Sequence, residues 1–416
     1  MNYILPTALC VLSIARIKAD LDTRCTAEYC AKYVEEKGCP SLPIECIVMN
    51  ATHHGTFFTY PDFCNCCDYC LKNLAEGEIC SIGYPGTLTP KEMCGPSLAC
   101  TPNKNTHATC QRISSKCTQA QDAFDRRKED GTLGSFEFRP RCDDDGHYVP
   151  EHCVPGFTCY CVAPTGERIF GEIPYLNSWD VQQMSCGCSL HAWKAENTLD
   201  PMFPIRVARC LENGLFDPLQ CTSAINATCF CVDTVSGAPK MNTEPVPGSE
   251  LKESNPFCFD PSIHIPGSYE KSCEFEFNSL YEGMKNLGGL KGISDVKLPS
   301  CQPDGNYAPV QSMMSKKVCV DPRGVQIENF EAAENSMESN IMNCKCARTR
   351  WLLAKSRTVD LPSCCSFGNF QAWQCRRNEC FCVDENGDQT EREVDINEIE
   401  KLSCYKANEG EACAVP

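Results

Sequence analysis

The density and spacing of cysteine constrain this chain more than any other feature of its sequence. Cysteine accounts for 37 of 416 residues, whereas apolar residues of all kinds make up 42%. Cysteine at this density is typical of modules that are too small to be held together by an apolar core alone. We therefore expect a tandem array of small disulfide-rich modules with little regular secondary structure, each with a short helix and small antiparallel strands.

One cysteine pattern occurs four times along the chain. It has the form Cys-x3-Gly-x-aromatic and begins at Cys142, Cys210, Cys301 and Cys364. A Cys-aromatic-Cys-Val element follows in three copies, and the third copy has KVCV there, with Ser312 and Lys317 at two cysteine positions. Because a bonded pair that is lost together leaves no orphan thiol, the third copy predicts these bonds elsewhere: Cys153–Cys159, Cys221–Cys229 and Cys375–Cys380.

Four further cysteines surround this central pair in each copy, and by themselves they allow three pairings. The pattern resembles the thyroglobulin type-1 domain, whose hallmark is Cys-Trp-Cys-Val and whose six cysteines pair in sequential order. Tyr160, Phe230 and Phe381 stand at the tryptophan position. The resemblance implies these further bonds: Cys117–Cys142, Cys161–Cys186, Cys188–Cys210, Cys231–Cys258, Cys273–Cys301, Cys319–Cys344, Cys346–Cys364 and Cys382–Cys404. Cys365 and Cys413 remain, and they either bond to each other or leave a disordered tail.

The spacing of the copies predicts domain boundaries. We expect type-1 domains at 112–187, 188–258, 259–344 (lacking one disulfide) and 345–404, followed by a tail, 405–416. Only Gly187 separates Cys186 from Cys188, and only Lys345 separates Cys344 from Cys346. These junctions are too short to be flexible, so the first and second copies, and the third and fourth, should form stiff pairs. The longer segment 259–272 is the expected hinge. Within each copy we expect a helix after the first cysteine and a strand pair ending in a glycine turn.

Residues 20–111 follow a different pattern, centred on CNCCDYC at Cys64 to Cys70. Such a cluster could ligate zinc, but disulfides are favoured in an oxidising compartment. The order of its twelve cysteines resembles the N-terminal module of insulin-like growth factor-binding proteins. That resemblance implies hormone contacts at Ile82, Tyr84 and Leu98. Phe63 and Asn65 depart from the family's glycines, and the loop from Cys80 to Cys94 is longer.

The N-terminus predicts secretion. An apolar run of 13 residues, Tyr3 to Ala15, precedes a small residue at Ala19. A membrane anchor needs about 20 apolar residues, so we expect a signal peptide at 1–19 and no membrane span. Its removal takes Cys10 alone and leaves an even number of cysteines. NAT sequences at Asn50 and Asn226 are candidate N-glycosylation sites. The mature chain is expected to be an extracellular monomer.

Charge and motifs argue for a binding protein. The formal charge of −17 disfavours nucleic acid as a partner. No HExxH motif or phosphate-binding glycine loop is present, and the acidic run Asp143 to Asp145 lacks the spacing of a calcium loop. We therefore expect no catalytic residues, no metal and no cofactor.

The resemblance to type-1 domains implies inhibition of papain-like cysteine proteases by loops that enter the active-site cleft. The candidate segments are Arg139–Pro150, the turn after CYCV, and their counterparts in the other copies. The first and fourth copies are favoured because they keep all six cysteines, whereas the third lacks a bond and the second carries Asn226 near its loops. Two alternatives stay open: the copies are inert spacers, or the front module binds an insulin-like peptide and the copies form its stalk.

Overall fold

The computed structural model describes most of the chain in two compact units, one of residues 1–114 with 143–146 and the other of residues 115–142 with 147–416. The described residues are 27–48, 55–59, 66–82, 91–102, 107–154, 156–198, 208–222, 227–240, 243–251, 253, 256–286, 297–358, 360–406 and 413. The expected signal peptide, Asn50, Cys64, Tyr84 and Asn226 lie outside them. No helix in the described part has the length and apolar character that a bilayer crossing requires.

The front unit is built on two three-stranded sheets. Its described elements are α1 (Ala27–Lys37), α2 (Ile44–Ile47), β1 (Gly55–Thr59), β2 (Asp68–Leu74), β3 (Ile79–Cys80), β4 (Glu92–Cys94), β5 (Leu98–Pro102) and β6 (Ala108–Arg112). Strand β2 pairs antiparallel with β1 and parallel with β4, while β6 pairs antiparallel with β3 and β5. The described disulfides are Cys30–Cys66, Cys39–Cys67, Cys46–Cys70, Cys80–Cys100 and Cys94–Cys110. The dense cysteine motif therefore supplies disulfide sulfurs.

The second unit contains the four repeats, and each has one helix near its first cysteine and one three-stranded antiparallel sheet. The helices are α3 (Lys116–Glu129), α4 (Ser178–Gln183), α5 (Gly187–Thr198), α6 (Ser272–Asn286), α7 (Met337–Ile341) and α8 (Lys345–Lys355). The strands are β7 (Glu151–Cys153), β8 (Thr158–Val162), β9 (Arg168–Pro174), β10 (Leu219–Cys221), β11 (Thr228–Cys231), β12 (Val246–Pro247), β13 (Val310–Ser312), β14 (Lys316–Val320), β15 (Gln326–Ala333), β16 (Trp373–Arg376), β17 (Glu379–Cys382) and β18 (Val394–Asp395). Short 3-10 helices lie at Gly248–Glu250 and Ile396–Lys401.

The Cys-x-Cys-Val segment is the central strand of each sheet, with the expected partner on one side and a third strand, which the sequence pattern did not predict, on the other. This fold of small helices and small antiparallel sheets in tandem, rich in disulfides, is the expected class. Its central strand is nearly inaccessible to solvent, as Cys159 and Cys161 in the first repeat illustrate. The disulfides therefore form part of each small core.

The disulfides of the repeats follow one scheme. Cys153–Cys159, Cys221–Cys229 and Cys375–Cys380 each join directly opposite residues of two strands. Ser312 lies opposite Lys317 at the same place in the third repeat. The other bonds are the pairs implied by the family resemblance, together with Cys365–Cys413.

Repeats 1 and 2 join in the same way as repeats 3 and 4. A Cβ added to Gly214 of repeat 2 would lie 2.9 Å from Sγ of Cys161 in repeat 1, and a Cβ added to Gly368 of repeat 4 would lie still closer to Sγ of Cys319 in repeat 3. The amide of Cys188 donates to the Gly214 carbonyl at 3.0 Å. The single-residue junctions therefore lie within tight interfaces, as stiff pairs require.

The segment 259–272, expected to be a hinge, is fixed to repeat 2. His264 is 5% exposed, and its Nε2 lies 2.7 Å from Oδ1 of the fully buried Asp217. The guanidinium of Arg209 stacks 3.7 Å from the ring centroid of Tyr269 and also pairs with Glu274 in repeat 3. Proline and glycine content indicated a linker, but these side-chain contacts tie it down on both sides.

Repeat 4 also contacts repeat 1, which closes the four repeats into a ring. Thr349 of repeat 4 donates to Glu172 of repeat 1 at 2.7 Å, and Arg168 of repeat 1 donates to the Asn386 carbonyl of repeat 4 at 3.2 Å. The ring-closing contact involves the turn of repeat 4 that follows Cys-Phe-Cys-Val. This arrangement decides which candidate loops are accessible.

Candidate protease-binding loops

Each repeat carries a first loop that runs from the motif cysteine to its aromatic residue: 142–148, 210–216, 301–307 and 364–370. The two end residues form an antiparallel bridge in all four repeats, Cys142 with Tyr148 in the first. The motif glycine between them has a φ of 79° to 84° in every repeat. Because other residues rarely adopt this left-handed conformation, the turn requires glycine at that position.

Each repeat also carries a second loop, the turn after Cys-x-Cys-Val: 163–167, 233–238, 321–325 and 384–389. It contains a second left-handed glycine, such as Gly166 with a φ of 92°. The motif aromatic packs on that glycine, since a Cβ on Gly166 would lie 2.7 Å from the Tyr148 ring and a Cβ on Gly387 would lie 2.7 Å from the Phe370 ring. The motif therefore couples the two loops.

A buried glutamine fixes the backbone ahead of the first loop in repeats 2, 3 and 4. In repeat 2, Gln220 accepts from the Arg209 amide at 2.9 Å and donates to the Arg209 carbonyl at 2.8 Å. Gln311 and Gln374 bond Ser300 and Ser363 in the same way. Repeat 1 has His152 at this position, one residue before Cys153.

An aspartate braces the second loop in the same three repeats. Asp233, Asp321 and Asp384 each accept two amide hydrogen bonds from their own turn, at 2.8 to 3.1 Å. Hydrogen bonds within the turn lower the pKa of Asp233. Repeat 1 has Ala163 instead. Its loops therefore lack both internal braces.

Repeat 1 exposes side chains from both loops. Arg141, just before the first loop, and His147, within it, are exposed, as are Thr165 and Glu167 of the second loop. Phe138, ahead of the first loop, is 47% exposed although it is large and apolar. A single exposed apolar side chain is common at protein surfaces, so Phe138 is accessible but does not by itself mark a binding site.

The other repeats differ. In repeat 2 the first loop is buried against repeat 1, with Cys210 fully buried and Phe216 8% exposed, and in repeat 3 Asp304 is 2% exposed. Their second loops keep exposed residues, Val235 and Arg323 among them. The repeat 1 loops also have contacts, since the Asp143 carbonyl accepts from the Ser97 hydroxyl at 3.1 Å and the Trp193 indole of repeat 2 donates to Glu167. Among the described residues, repeat 1 is nevertheless the repeat in which both loops keep at least two exposed side chains.

Repeat 4, which was favoured together with repeat 1, has both loops engaged. Its first loop packs against repeat 3, where the Ser366 carbonyl accepts from the Glu331 amide at 3.0 Å. Its second loop contacts repeat 1 through Asp388, whose carboxylate accepts from the Tyr160 hydroxyl at 2.7 Å. Complete cysteine pairing kept the loops intact but gave no information on which surfaces the neighbouring repeats cover.

The three residues expected to contact a hormone differ in how far they are exposed and described. Ile82 is 38% exposed, and nearby Ile79 is 65% exposed. Leu98 packs against the core formed by Leu74, Cys94 and their neighbours, which leaves less of it for a partner. Tyr84 lies outside the described residues, as do the candidate glycosylation sites Asn50 and Asn226.

Sequence reasoning missed His152, Gln389 and Glu393, which lie where repeats 1 and 4 meet. A signal was available for His152, because glutamine occupies the tenth position after the motif cysteine in the other three repeats. Gln389 and Glu393 carried no such signal, since their partners are distant in sequence.

Comparisons with known proteins agree with this description. The thyroglobulin type-1 repeat family model matches residues 110–174, 188–252, 273–339 and 344–401. Equistatin from Actinia equina is 27% identical over 188 residues, which cover 44% of this chain and 71% of equistatin. Thyroglobulin from Bos taurus is 23% identical over 186 residues, 42% of this chain but 6% of thyroglobulin, and the Mus musculus protein is 27% identical over 173 residues, 41% of this chain and 5% of its own length.

The chain thus spans only a small part of the thyroglobulins that it matches. The family matches nevertheless extend over more than half of the chain. Each matched segment contains the helix, the three-stranded sheet and the pair of glycine loops described above. This chain therefore belongs to the thyroglobulin type-1 repeat family.

Proposed function

We propose that this chain is a secreted, monomeric, non-enzymatic inhibitor of papain-like cysteine proteases, and that repeat 1 supplies the loops that enter the active-site cleft. The observation that carries the proposal is that both repeat 1 loops keep at least two exposed side chains, whereas the first loop of each other repeat has at most one. The family membership and the similarity to equistatin support it.

The physical basis of inhibition is rigidity. The repeat 1 loops are held by three disulfides, Cys117–Cys142, Cys153–Cys159 and Cys161–Cys186. The ring of Tyr148 on Gly166 ties the loops to each other. Loops that are already ordered lose little conformational entropy on binding. A peptide bond held in this way also leaves the cleft slowly and resists cleavage.

The test is titration of a papain-like protease with the oxidised full-length protein. Protease activity is measured as the rate of cleavage of a small substrate. Thr165→Trp places a bulky ring at the exposed position just before the left-handed glycine of the repeat 1 second loop. Arg323→Trp places the same ring at the matching position of repeat 3, which is also exposed. We expect Thr165→Trp to raise the inhibition constant at least about tenfold, equivalent to about 1.4 kcal/mol, and Arg323→Trp to leave it within about twofold of the original value.

Two results would contradict the proposal. Equal effects of the two substitutions would remove repeat 1 from its assigned role. No inhibition by the unmodified protein at micromolar concentration would leave the repeats as a scaffold.

A second candidate function rests on the front unit. Ile79 on β3 and Ile82, two residues after that strand, are both exposed, and this exposure supports binding of an insulin-like peptide. Ile82→Asp should weaken capture of such a peptide at least about tenfold, with exposed Val34→Asp on α1 as the matched control. Unchanged binding in Ile82→Asp would exclude this surface.

A further inference from the structure

The segment ahead of the first loop in repeat 1, residues 131–141, is held by its own repeat, for example by Gln121 at the Pro140 carbonyl, and also by repeat 4. We call it the flank. In repeats 2, 3 and 4 a buried glutamine of the same repeat bonds both backbone groups of the residue before the motif cysteine. His152 replaces that glutamine in repeat 1 and turns to repeat 4, where its Nε2 lies 3.0 Å from Oδ2 of Asp388.

Residues 384–393 of repeat 4, which we call the clamp, bond the flank directly. The Phe136 amide donates to Oε1 of Gln389 at 2.8 Å, and the Ser135 amide donates to Oε2 of Glu393 at 2.9 Å. A Cβ added to Gly134 would overlap the side-chain amide of Gln389, so that amide would have to shift. Two backbone amides of the flank thus depend on side chains of repeat 4.

Aromatic and cationic groups extend this contact. The Phe136 ring lies 5.6 Å from the ring of Phe381, which occupies the hallmark aromatic position of repeat 4. The guanidinium of Arg376 lies 5.5 Å from the Phe136 ring and 5.4 Å from the Phe157 ring. The flank is therefore positioned by packing as well as by hydrogen bonds.

We propose that the clamp is a pH-dependent positioning element for the protease-facing loops of repeat 1, closed in mild acid and loosened as the pH rises above neutrality. It rests on the proposed function for its biological meaning, but its existence as a device rests on the contacts between repeats 1 and 4. His152, Asp384 and Asp388 are the groups assigned to the switch.

The direction follows from the ionisation of these three groups. Burial alone would lower the pKa of His152, but its hydrogen bond to Asp388 and the nearby carboxylates outweigh that effect and raise the pKa above its ordinary value. Burial, with the adjacent Asp388 carboxylate, raises the pKa of Asp384 to about 6. Burial alone would raise the pKa of Asp388 too, but His152 and Tyr160 hold it below its usual range.

The raised pKa values of His152 and Asp384 both stabilise the contact between repeats 1 and 4 at lower pH. A group whose pKa is raised in the assembled state stabilises that state when protonated, and the stabilisation is lost as the pH rises through the raised value. Asp384 loses its contribution between its ordinary pKa and about 6, and His152 loses its contribution at higher pH. Asp388 weakens the contact only in stronger acid, below its ordinary pKa. The clamp is therefore tighter at about pH 5 than at about pH 8.

Other charged groups face the switch from both repeats. They are Tyr160, Arg168 and Glu172 from repeat 1 and Lys345, Glu385 and Glu393 from repeat 4. Arg168 pairs with Glu172 at 2.5 Å, and Lys345 lies 3.6 Å from Glu385. The Ser135 hydrogen bonds hold the pKa of Glu393 at about 2 against the opposing effect of burial. His152 and Asp384 are thus the two switch groups whose pKa values are raised.

Hydrogen exchange of the full-length protein tests the clamp without a protease. Protection of the Ser135 and Phe136 amides is measured at about pH 5, 6.5 and 8 and corrected for intrinsic exchange rates. The Val162 amide, which donates to Pro150 at 2.8 Å inside repeat 1, is the internal reference. We expect protection of the two flank amides to fall about tenfold or more from pH 5 to 8, relative to Val162.

Two substitutions separate the contribution of Asp384 to the pH dependence from that of His152. Asp384→Asn keeps an oxygen for its turn amides but cannot ionise, so it should remove the fall between about pH 5 and 6.5. His152→Gln restores the residue type of the other repeats and should remove the fall between about pH 6.5 and 8. His191→Gln, at an exposed position on α5, should keep the original profile.

Flank protection that changes by less than about twofold in the unmodified protein would overturn the proposal. So would a full pH profile that persists when both substitutions are combined. Inhibition of the protease, measured separately on the same samples, distinguishes the two claims. A pH-dependent flank without inhibition would contradict the proposed function alone, and pH-independent protection with inhibition would contradict the clamp alone.

Discussion

The ring of Tyr148 lies against Gly166, so that a Cβ on the glycine would meet the ring carbon Cε2 at 2.7 Å. The same aromatic–glycine contact joins the first and second loops in all four repeats. The spacing Cys-x3-Gly-x-aromatic therefore records two requirements. The glycine permits the first turn, and the aromatic needs a bare α-carbon in the second.

Gly166→Ala should damage repeat 1 for both reasons. Its φ of 92° is unfavourable for alanine, and the added methyl would displace Tyr148, so we expect a loss of about 1 to 3 kcal/mol. Gly283→Ala is the control, because this glycine lies in α6 with open space around it and alanine favours a helix by about 1 kcal/mol. Thermal unfolding should show a lower midpoint for the first and an equal or higher one for the second. A lower midpoint for Gly283→Ala alone would contradict this account.

The third repeat should accept the disulfide that it lacks. Ser312 and Lys317 are directly opposite on β13 and β14, like Cys153 and Cys159 on β7 and β8, whose Cα atoms are 4.0 Å apart. Ser312→Cys with Lys317→Cys should therefore oxidise without backbone rearrangement. The short loop limits the gain to about 2 kcal/mol, reduced by loss of the Lys317 bond to the Ser339 carbonyl. Peptide mapping without reduction checks the linkage, and two free thiols after oxidative refolding would contradict it.

Gln374 should be as important to repeat 4 as a buried core residue. It is 3% exposed and bonds the amide and the carbonyl of Ser363, at 2.8 Å each. Gln374→Leu keeps the approximate volume but leaves both backbone groups without these partners, which should cost about 2 to 4 kcal/mol. Exposed Gln119→Leu on α3 is the control. Denaturant titration followed by hydrogen exchange in repeat 4 measures the difference, and equal stability of the two variants would contradict the assigned role.

Sequence patterns predicted the structural features that are local in the chain and repeated along it. The joint loss at Ser312 and Lys317 indicated the central disulfide because the two positions are neighbours in one hairpin. The contact of His152 with Asp388 was not predictable in this way, since 236 residues separate the partners and each fits its own local pattern. The packing of repeat 4 on repeat 1 depends on the summed geometry of three junctions. Candidate loops could therefore be located from the sequence, but their accessibility could not.

Segment 259–272 is a second example of tertiary contacts that the sequence pattern did not indicate. Its prolines and glycine indicated a hinge, but the Asp260 amide donates to Nδ1 of His264 at 2.8 Å. Nε2 therefore carries the ring proton and donates it to Asp217, in a site where the two side chains are 3% and 0% exposed. Asp217→Ala leaves this donor buried without its partner, at a cost of about 3 kcal/mol.

The expected consequence is local opening of residues 259–272. This opening should also loosen the contact between repeats 2 and 3. Limited proteolysis should cut Asp217→Ala within this segment at least about tenfold faster than the unmodified protein. Glu196→Ala, which removes an exposed carboxylate on α5 of the same repeat, is the control and should leave the segment resistant. If Asp217→Ala is cleaved within 259–272 at the original rate, Arg209 and Tyr269 are sufficient to hold this segment. In that case the buried His264–Asp217 pair is not the contact that makes the segment part of the core.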